Sequence, residues 1–361
     1  MKQPHHRNPY RQNQHRPRRP AAAQHTFPRT SLSFSNATAI LTLLATLTVW
    51  FTSPISDAIA QVALYTVPLT SDVDLGLSTW NQDMKYKFPP VYDHWSVGEI
   101  GSELVQGRAT REYCRTQRGG ATSDGDSYYS NVIHSEQTCM DQIETYPWSF
   151  RVVHSTHINA FALPGGIICV TDALLQTLDL TRGEIAALLG HEMGHVLHRH
   201  SQAQLMKKNL LYTILHAIVS HLSPAEPNTA SSGSGTRSGA TGARSAADGT
   251  TMGDRMGDML FQGIQFLGEM KFSRANEYEA DTTAWDLLVS SRTYDPRNVQ
   301  NLLQKLWSLE GASAGGDTAN AGSSSSSGKT SWEMTHPGTA DRIEALQAKW
   351  ESSQQQRSQY Y

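Results

Sequence analysis

Residues 188–200, LLGHEMGHVLHRH, place four histidines and one glutamate in a single apolar stretch. A helix turns by about 100° per residue, so His191 and His195 lie one turn apart and point the same way. Two imidazoles at that spacing can hold one Zn2+ from one side, at about 2.1 Å each. Glu192 sits about 100° further round, beside such an ion, where a carboxylate can take a proton from water. This is the HExxH arrangement of two ligands and a general base. His198 faces the same side but lies about 10 Å along the axis from His191, too far for ligand bonds to bridge on a straight helix. His200 points to the opposite face. Both are expected at the surface or behind the ligands.

A peptidase zinc needs a third protein ligand and keeps its fourth position for water. The metzincin pattern would require Gly at 198 and His at 201, where the chain has His198 and Ser201, so that class is excluded. The alternative is a carboxylate from another helix. FSRANEYEAD (272–281) offers one: Glu277 and Asp281 are four residues apart and share a face, whereas Glu279 lies about 200° from Glu277. Glu277 is assigned as the ligand and Asp281 as the carboxylate that orients an imidazole from behind. A Zn2+ site of one ion per chain follows.

The flanking elements must position these groups. WSFRVVHST (148–156) reads as a strand, INAFALPGG (158–166) ends in a Pro-Gly-Gly turn, and IICVTDALLQTL (167–178) runs from a strand into a helix. Thr181 and Glu184 have capping-box spacing, so a long helix starts near residue 182; its pattern extends into 203–222, which could lie at a membrane surface. A second helical region covers roughly 255–289, another opens at Asp295-Pro296, and a closing helix frays into a polar tail at 351–361. The Gly/Ser-rich stretches 226–252 and 311–330 read as flexible insertions in a catalytic domain over 147–350. Residues 57–146 read as irregular and carry no assignable chemistry. The fold class is α+β, mainly helical with a small sheet, and the HExxH lies on a long helix.

Charged residues make up 17% of the chain and the net charge is −3, so no global field points to nucleic acid. Residues 1–36 hold Lys2 and six arginines but no acid, the composition of an organelle-targeting peptide; a disordered basic tail is the alternative. Residues 37–56 contain ATAILTLLATLTVWFTSPI, long enough for one transmembrane anchor, with the amino terminus on the matrix or cytoplasmic side. Cys114 and Cys139 bracket a polar loop and could pair in an oxidising compartment, or stay as thiols like Cys169.

HEMGH, SRANEYEAD and THPGTADRI (335–343) together resemble the motif series of the CAAX prenyl protease/HtpX family of zinc metallopeptidases. INAFALPGG and the single anchor are similar to its mitochondrial inner-membrane branch, whose activity overlaps that of the m-AAA protease. The resemblance covers about residues 148–345 and implies a gluzincin-like zincin fold. It also implies that His336 and Arg342 line the cleft and donate to the oxyanion formed during peptide attack, and that Asn159 and Ala160 pair with an extended substrate. The implied function is zinc-dependent endopeptidase action on membrane or membrane-proximal proteins in mitochondrial quality control, including stress-linked cleavage of a dynamin-like GTPase. A non-enzymatic membrane-anchored adaptor with structural zinc, and the same peptidase in the secretory pathway or a plastid, are the other readings. The sequence leaves room for a homo-oligomer.

Overall fold

In a computed structural model of the chain, the described residues are 66–116, 135–222, 271–314 and 331–358, preceded by Ser56, Ile59, Ala60, Ala63 and Leu64. All of them belong to the unit Thr48–Tyr361. The expected anchor lies outside the described residues except for Ser56, as do 226–252. Among the described residues no helix is long and apolar enough to cross a membrane.

Ser149–Val153 (β1), Ala160–Leu163 (β2) and Ile167–Thr171 (β3) form one sheet in the order β1-β3-β2. β3 runs parallel to β1, with Ser149 opposite Ile167, and antiparallel to β2, with Ala160 opposite Val170. Gly165 and Gly166 turn β2 into β3 with φ of 75° and 90°, a region where side chains are strained. Every residue of β2 and β3 is buried because both faces are covered. Ala160, Ala162, Ile168 and Val170 face the main core, while Phe161, Leu163, Ile167 and Cys169 pack with Trp80, Met84 and Phe272. A sheet covered on both sides reads as continuous apolar runs rather than as alternation. The outer edge of β1 is met by residues 89–91, Val91 N–H donating to Val152 C=O at 3.0 Å. The outer edge of β2 carries no strand among the described residues.

The region expected to be irregular is largely helical. Leu69–Thr79 (α1) continues through a π-helical turn, Trp80–Met84, and is followed by Val97–Gln106 (α2), Arg108–Thr116 (α3) and Glu136–Thr145 (α4). These helices are about three turns or shorter, too short to persist on propensity, and tertiary packing holds them. Cys114 on α3 and Cys139 on α4 form a disulfide with Cα atoms 5.5 Å apart, and Cys169 remains a buried thiol.

Asp172–Leu178 (α5) leads into Arg182–Leu197 (α6), the helix of the HExxH residues. Its capping box is complete: Glu184 N–H donates to the Thr181 hydroxyl, and Thr181 N–H donates to the Glu184 carboxylate. From Glu184 to Leu197 every residue is buried, so this helix has no solvent face. It does not run on into 203–222, as the apolar pattern suggests. Arg199 takes φ 52° and His200–Leu222 (α7) starts anew. The guanidinium of Arg199 donates to Leu64 C=O at 2.6 Å and pairs with buried Asp72 at 2.7 Å, fixing the break.

Arg274–Ser291 (α8) lies along α6, followed by Arg297–Ala314 (α9), Ser331–Thr335 (α10) and Thr339–Ser358 (α11). Helix α9 thus enters the stretch expected to be a flexible loop, whose remainder, 315–330, lies outside the described residues. Helix α11 reaches Ser358, through most of the expected polar tail. Gly190 and Gly194, one turn apart on α6, face Ala284 and Ala280 of α8. A Cβ on Gly194 would stand 2.8 Å from Ala280 Cα, so only glycine admits this approach. Gly194→Ala should therefore cost about 1–3 kcal/mol of stability, as overpacking does. Gly190→Ala, whose Cβ has 3.2 Å to its nearest neighbour, should cost less. Urea denaturation of the two variants checks the order.

Candidate metal centre

Because α6 and α8 lie so close, a carboxylate on one reaches imidazoles on the other. His191 and His195 Nε2 are 3.1 Å apart. Glu277 Oε2 is 3.5 Å from the first, and Oε1 is 3.4 Å from the second. Three atoms bound tetrahedrally at about 2.1 Å to one ion stand about 3.4 Å apart, so the spacing fits a zinc-sized cation. The chemistry agrees. Asp281 Oδ1 is 2.9 Å from His191 Nδ1, which makes Nδ1 the protonated nitrogen and leaves Nε2 a bare lone pair. Burial holds His195 well toward its neutral form. Two lone pairs and a carboxylate converging without a cation would repel, and an ion between them removes the repulsion.

Arg342 and His336 hold the carboxylates toward their ionised forms. Burial alone would raise the pKa of Glu277, but His336 and Arg342 outweigh it and hold the group well below the usual carboxylate range. Asp281 behaves likewise, Arg342 overcoming its burial. The Arg342 guanidinium donates from Nε to Asp281 Oδ2 at 2.6 Å and from Nη2 to Oδ1 at 2.7 Å, and Nη1 lies 2.7 Å from Glu277 Oε2. Arg342, expected to donate to an oxyanion in the cleft, is thus buried against the carboxylates of Glu277 and Asp281.

His336, also expected to donate to the oxyanion, reaches the cluster of His191, His195 and Glu277 itself. Its Nδ1 lies 3.2 Å from Glu277 Oε1 and 3.3 Å from His191 Nε2, and its Nε2 is 3.7 Å from Glu192 Oε1. Donor atoms of His191, His195, Glu277 and His336 all lie within 4.8 Å of one another. Burial would lower the pKa of His336, but Glu277 and Glu192 raise it above the ordinary value. Its ring stacks on Trp332, four residues earlier on α10, with centroids 4.1 Å apart. That four-residue spacing is visible in the sequence. Phe272, stacked on His195 at 4.0 Å, carries no comparable signal, because it packs from outside the helix.

Glu192 is fully buried, and neither carboxylate oxygen accepts a hydrogen bond from the described residues. Burial pushes its pKa up, His336 and His191 opposing. Asn159 precedes β2 and Ala160 opens it, at the edge strand. Asn159 Oδ1 accepts from the Thr335 hydroxyl at 3.3 Å, and a cleft of about 400 Å3 opens there, lined by Phe88, Asn159, Met334 and Thr335 among others.

His198 and His200 are buried behind the cluster, one of the two places expected for them, but His200 is not on the opposite face of the helix. The straight-helix geometry fails at Arg199, and the new helix returns His200 toward His195, with the Nδ1 atoms 2.9 Å apart. Glu279 does face away from Glu277, and it meets both histidines: Oε1 is 3.0 Å from His198 Nδ1 and Oε2 is 2.9 Å from His200 Nε2.

A buried helix presenting HExxH, met by a glutamate from a neighbouring helix, defines the metallopeptidase class. Residues 131–350 match the family model described as Peptidase family M48, and the chain belongs to that family. It is similar to the mitochondrial metalloendopeptidase OMA1 of Arabidopsis thaliana, 31% identical over 174 residues, 48% of this chain and 28% of that protein. It is also similar to the beta-barrel assembly-enhancing protease of Yersinia pestis, 29% identical over 203 residues (54% and 36%). A protease HtpX homolog of Pyrobaculum aerophilum is 34% identical over 128 residues (34% and 33%). The matches thus span between 28% and 36% of the length of these curated relatives.

Arg342→Met should leave Glu277 and Asp281 buried beside no guanidinium and cost about 3–5 kcal/mol, the scale for breaking a buried ion pair. Arg342→Lys should recover only part, since an ammonium cannot span both carboxylates as the planar fork does. Denaturation midpoints in the presence of a chelator, which removes any metal contribution, check both.

Proposed function

We propose that the chain is a membrane-anchored zinc endopeptidase that hydrolyses membrane or membrane-proximal proteins at the mitochondrial inner membrane. The observation that carries the activity is the Glu192 carboxylate, buried beside the His/Glu cluster without a hydrogen bond from the described residues. An unpaired buried carboxylate is costly, and a purely structural metal site has no use for it. His191, His195 and Glu277 would hold Zn2+, which would supply Lewis acidity and make water acidic enough to lose a proton near neutral pH.

Glu192 takes that proton, its burial-raised pKa matching it to both acceptance and return, and delivers it to the leaving amine. His336, held toward its cationic form beside Glu192, donates to the carbonyl oxygen as negative charge develops there. Asp281 and Arg342 position the ligands. An extended substrate adds as a strand to the free edge of β2 at Ala160, with Asn159 and the adjoining cleft receiving its side chains.

The acid-free amino terminus, the apolar 37–56 segment and the relative named as a mitochondrial metalloendopeptidase support the location. Stress-linked processing of a dynamin-like GTPase is the substrate role that goes with it. Sequencing the mature amino terminus and imaging a tagged chain separate mitochondria from the secretory pathway or a plastid.

One observation favours a structural zinc site in an adaptor: His336 completes a set of four donors. X-ray absorption of the zinc-loaded chain separates the two readings, three protein ligands and an oxygen being expected for the enzyme and four protein ligands for the adaptor. Glu192→Gln should keep the zinc and lose cleavage by about 10²–10⁴-fold, the usual share of a general base. The readout is proteomics of neo-termini in cells carrying either form, and a Gln variant that cuts normally sinks the mechanism.

A further inference from the structure

The two imidazoles of the metal centre are backed differently. Behind His191 stands a carboxylate, Asp281, in direct contact. Behind His195 stands another imidazole, His200, with a carboxylate one step further out. His195 Nδ1 is 2.9 Å from His200 Nδ1, and His200 Nε2 is 2.9 Å from Glu279 Oε2. His195 and His200 are both buried, so water does not compete for the bond between them.

The tautomers along this line are not free to vary. With Nε2 of His195 turned to the cluster as a lone pair, its Nδ1 carries the proton and donates it toward His200. Nδ1 of His200 must then accept, which places the His200 proton on Nε2, where it is donated to Glu279. The carboxylate end is fixed in turn, because His198 Nδ1 lies 3.0 Å from the other oxygen of Glu279 and His198 Nε2 lies 2.8 Å from the Thr283 hydroxyl. Phe272 stacked on the His195 ring leaves little room for it to swing.

His198, His200 and Glu279 also have the composition of a second metal site, their donor atoms lying within 4.8 Å of one another. The His200 tautomer set by His195 leaves no room for such an ion. The nitrogen of His200 that faces Glu279 carries the proton that the relay requires, and a protonated nitrogen has no lone pair for an ion.

We propose that His200 and Glu279 form a relay that orients His195 and sets its tautomer, the counterpart for this ligand of Asp281 behind His191. The proposal rests on the reading of His195 as a zinc ligand. His200 and Glu279 are positioning residues, and they act on the ion only through His195. Outer partners of a ligating histidine typically govern 10–100-fold in metal affinity. The α6–α7 break at Arg199 has a role on this reading, since a straight helix would carry His200 away from His195.

The test is Zn2+ affinity of the full-length chain by chelator competition, with zinc stoichiometry measured alongside. His200→Leu and Glu279→Ala should each weaken binding about 10–100-fold. His200→Gln should recover most of the loss, because its amide oxygen can accept from His195 Nδ1. A role in packing alone would not be rescued in that way. Glu279 is partly exposed, so its alanine variant remains informative if His200→Leu fails to fold. Wild-type affinity in both His200→Leu and Glu279→Ala overturns the relay, as does a second zinc that disappears in His198→Ala. Undiminished binding in His195→Ala instead overturns the ligand assignment beneath it.

Discussion

The centre depends on the distance between two helix backbones. Where α6 and α8 pass, Gly194 of one meets Ala280 of the other with no space for a further carbon. Side chains of ordinary length then overlap in reach, and the carboxylate of Glu277 comes within 3.5 Å of two imidazoles on the neighbouring helix. A larger separation would leave the same residue types unable to share one ion, because ligand bonds near 2 Å cannot stretch. Gly190 just before HExxH and Gly194 within it are what allow that approach, and α6 is buried from Glu184 to Leu197.

Such packing places three carboxylates, Glu192, Glu277 and Asp281, where water cannot solvate them. Their charge must be met from within. Arg342 and His336, brought in by α11 and by the residue just after α10, meet it unequally. Arg342 pairs with two of the carboxylates, Glu277 and Asp281, while the ion-pair neighbour of Glu192 among the described residues is His336 at 3.7 Å. The difference separates Glu277, held toward its ionised form, from Glu192, whose pKa rises, and the proposed role of Glu192 in proton transfer draws on that division.

Much of this was legible in the chain. The capping box of Thr181 and Glu184, the four-residue spacings of His191 with His195 and Glu277 with Asp281, and the Pro-Gly-Gly turn are local signals, governed by interactions within a turn or two. The residues 57–146 were not legible, because short helices of sparse apolar content are held by contacts made elsewhere in the chain. The sequence puts His200 on the opposite face of the helix for a related reason. Arg199 adopts its left-handed backbone because Asp72 and the carbonyl of Leu64 capture its guanidinium, and neither is near it in sequence. Arg342 could be counted as a functional residue from its motif, but which carboxylates it grips is a matter of three elements converging.

The sequence by itself determined the chemistry available: a zinc-type donor set, a candidate base between the donors, and an acid-free, Arg-containing amino terminus followed by an apolar stretch. Residue type and periodicity suffice for that, since they act locally. Only the tertiary structure decided that His200 stands behind His195 and Asp281 behind His191, that Arg342 pairs with Glu277 and Asp281, and that His336 reaches the donor cluster. Those outcomes turn on angstrom-scale separations between residues distant in the chain, set by the packing of α6 against α8 and by the break at Arg199.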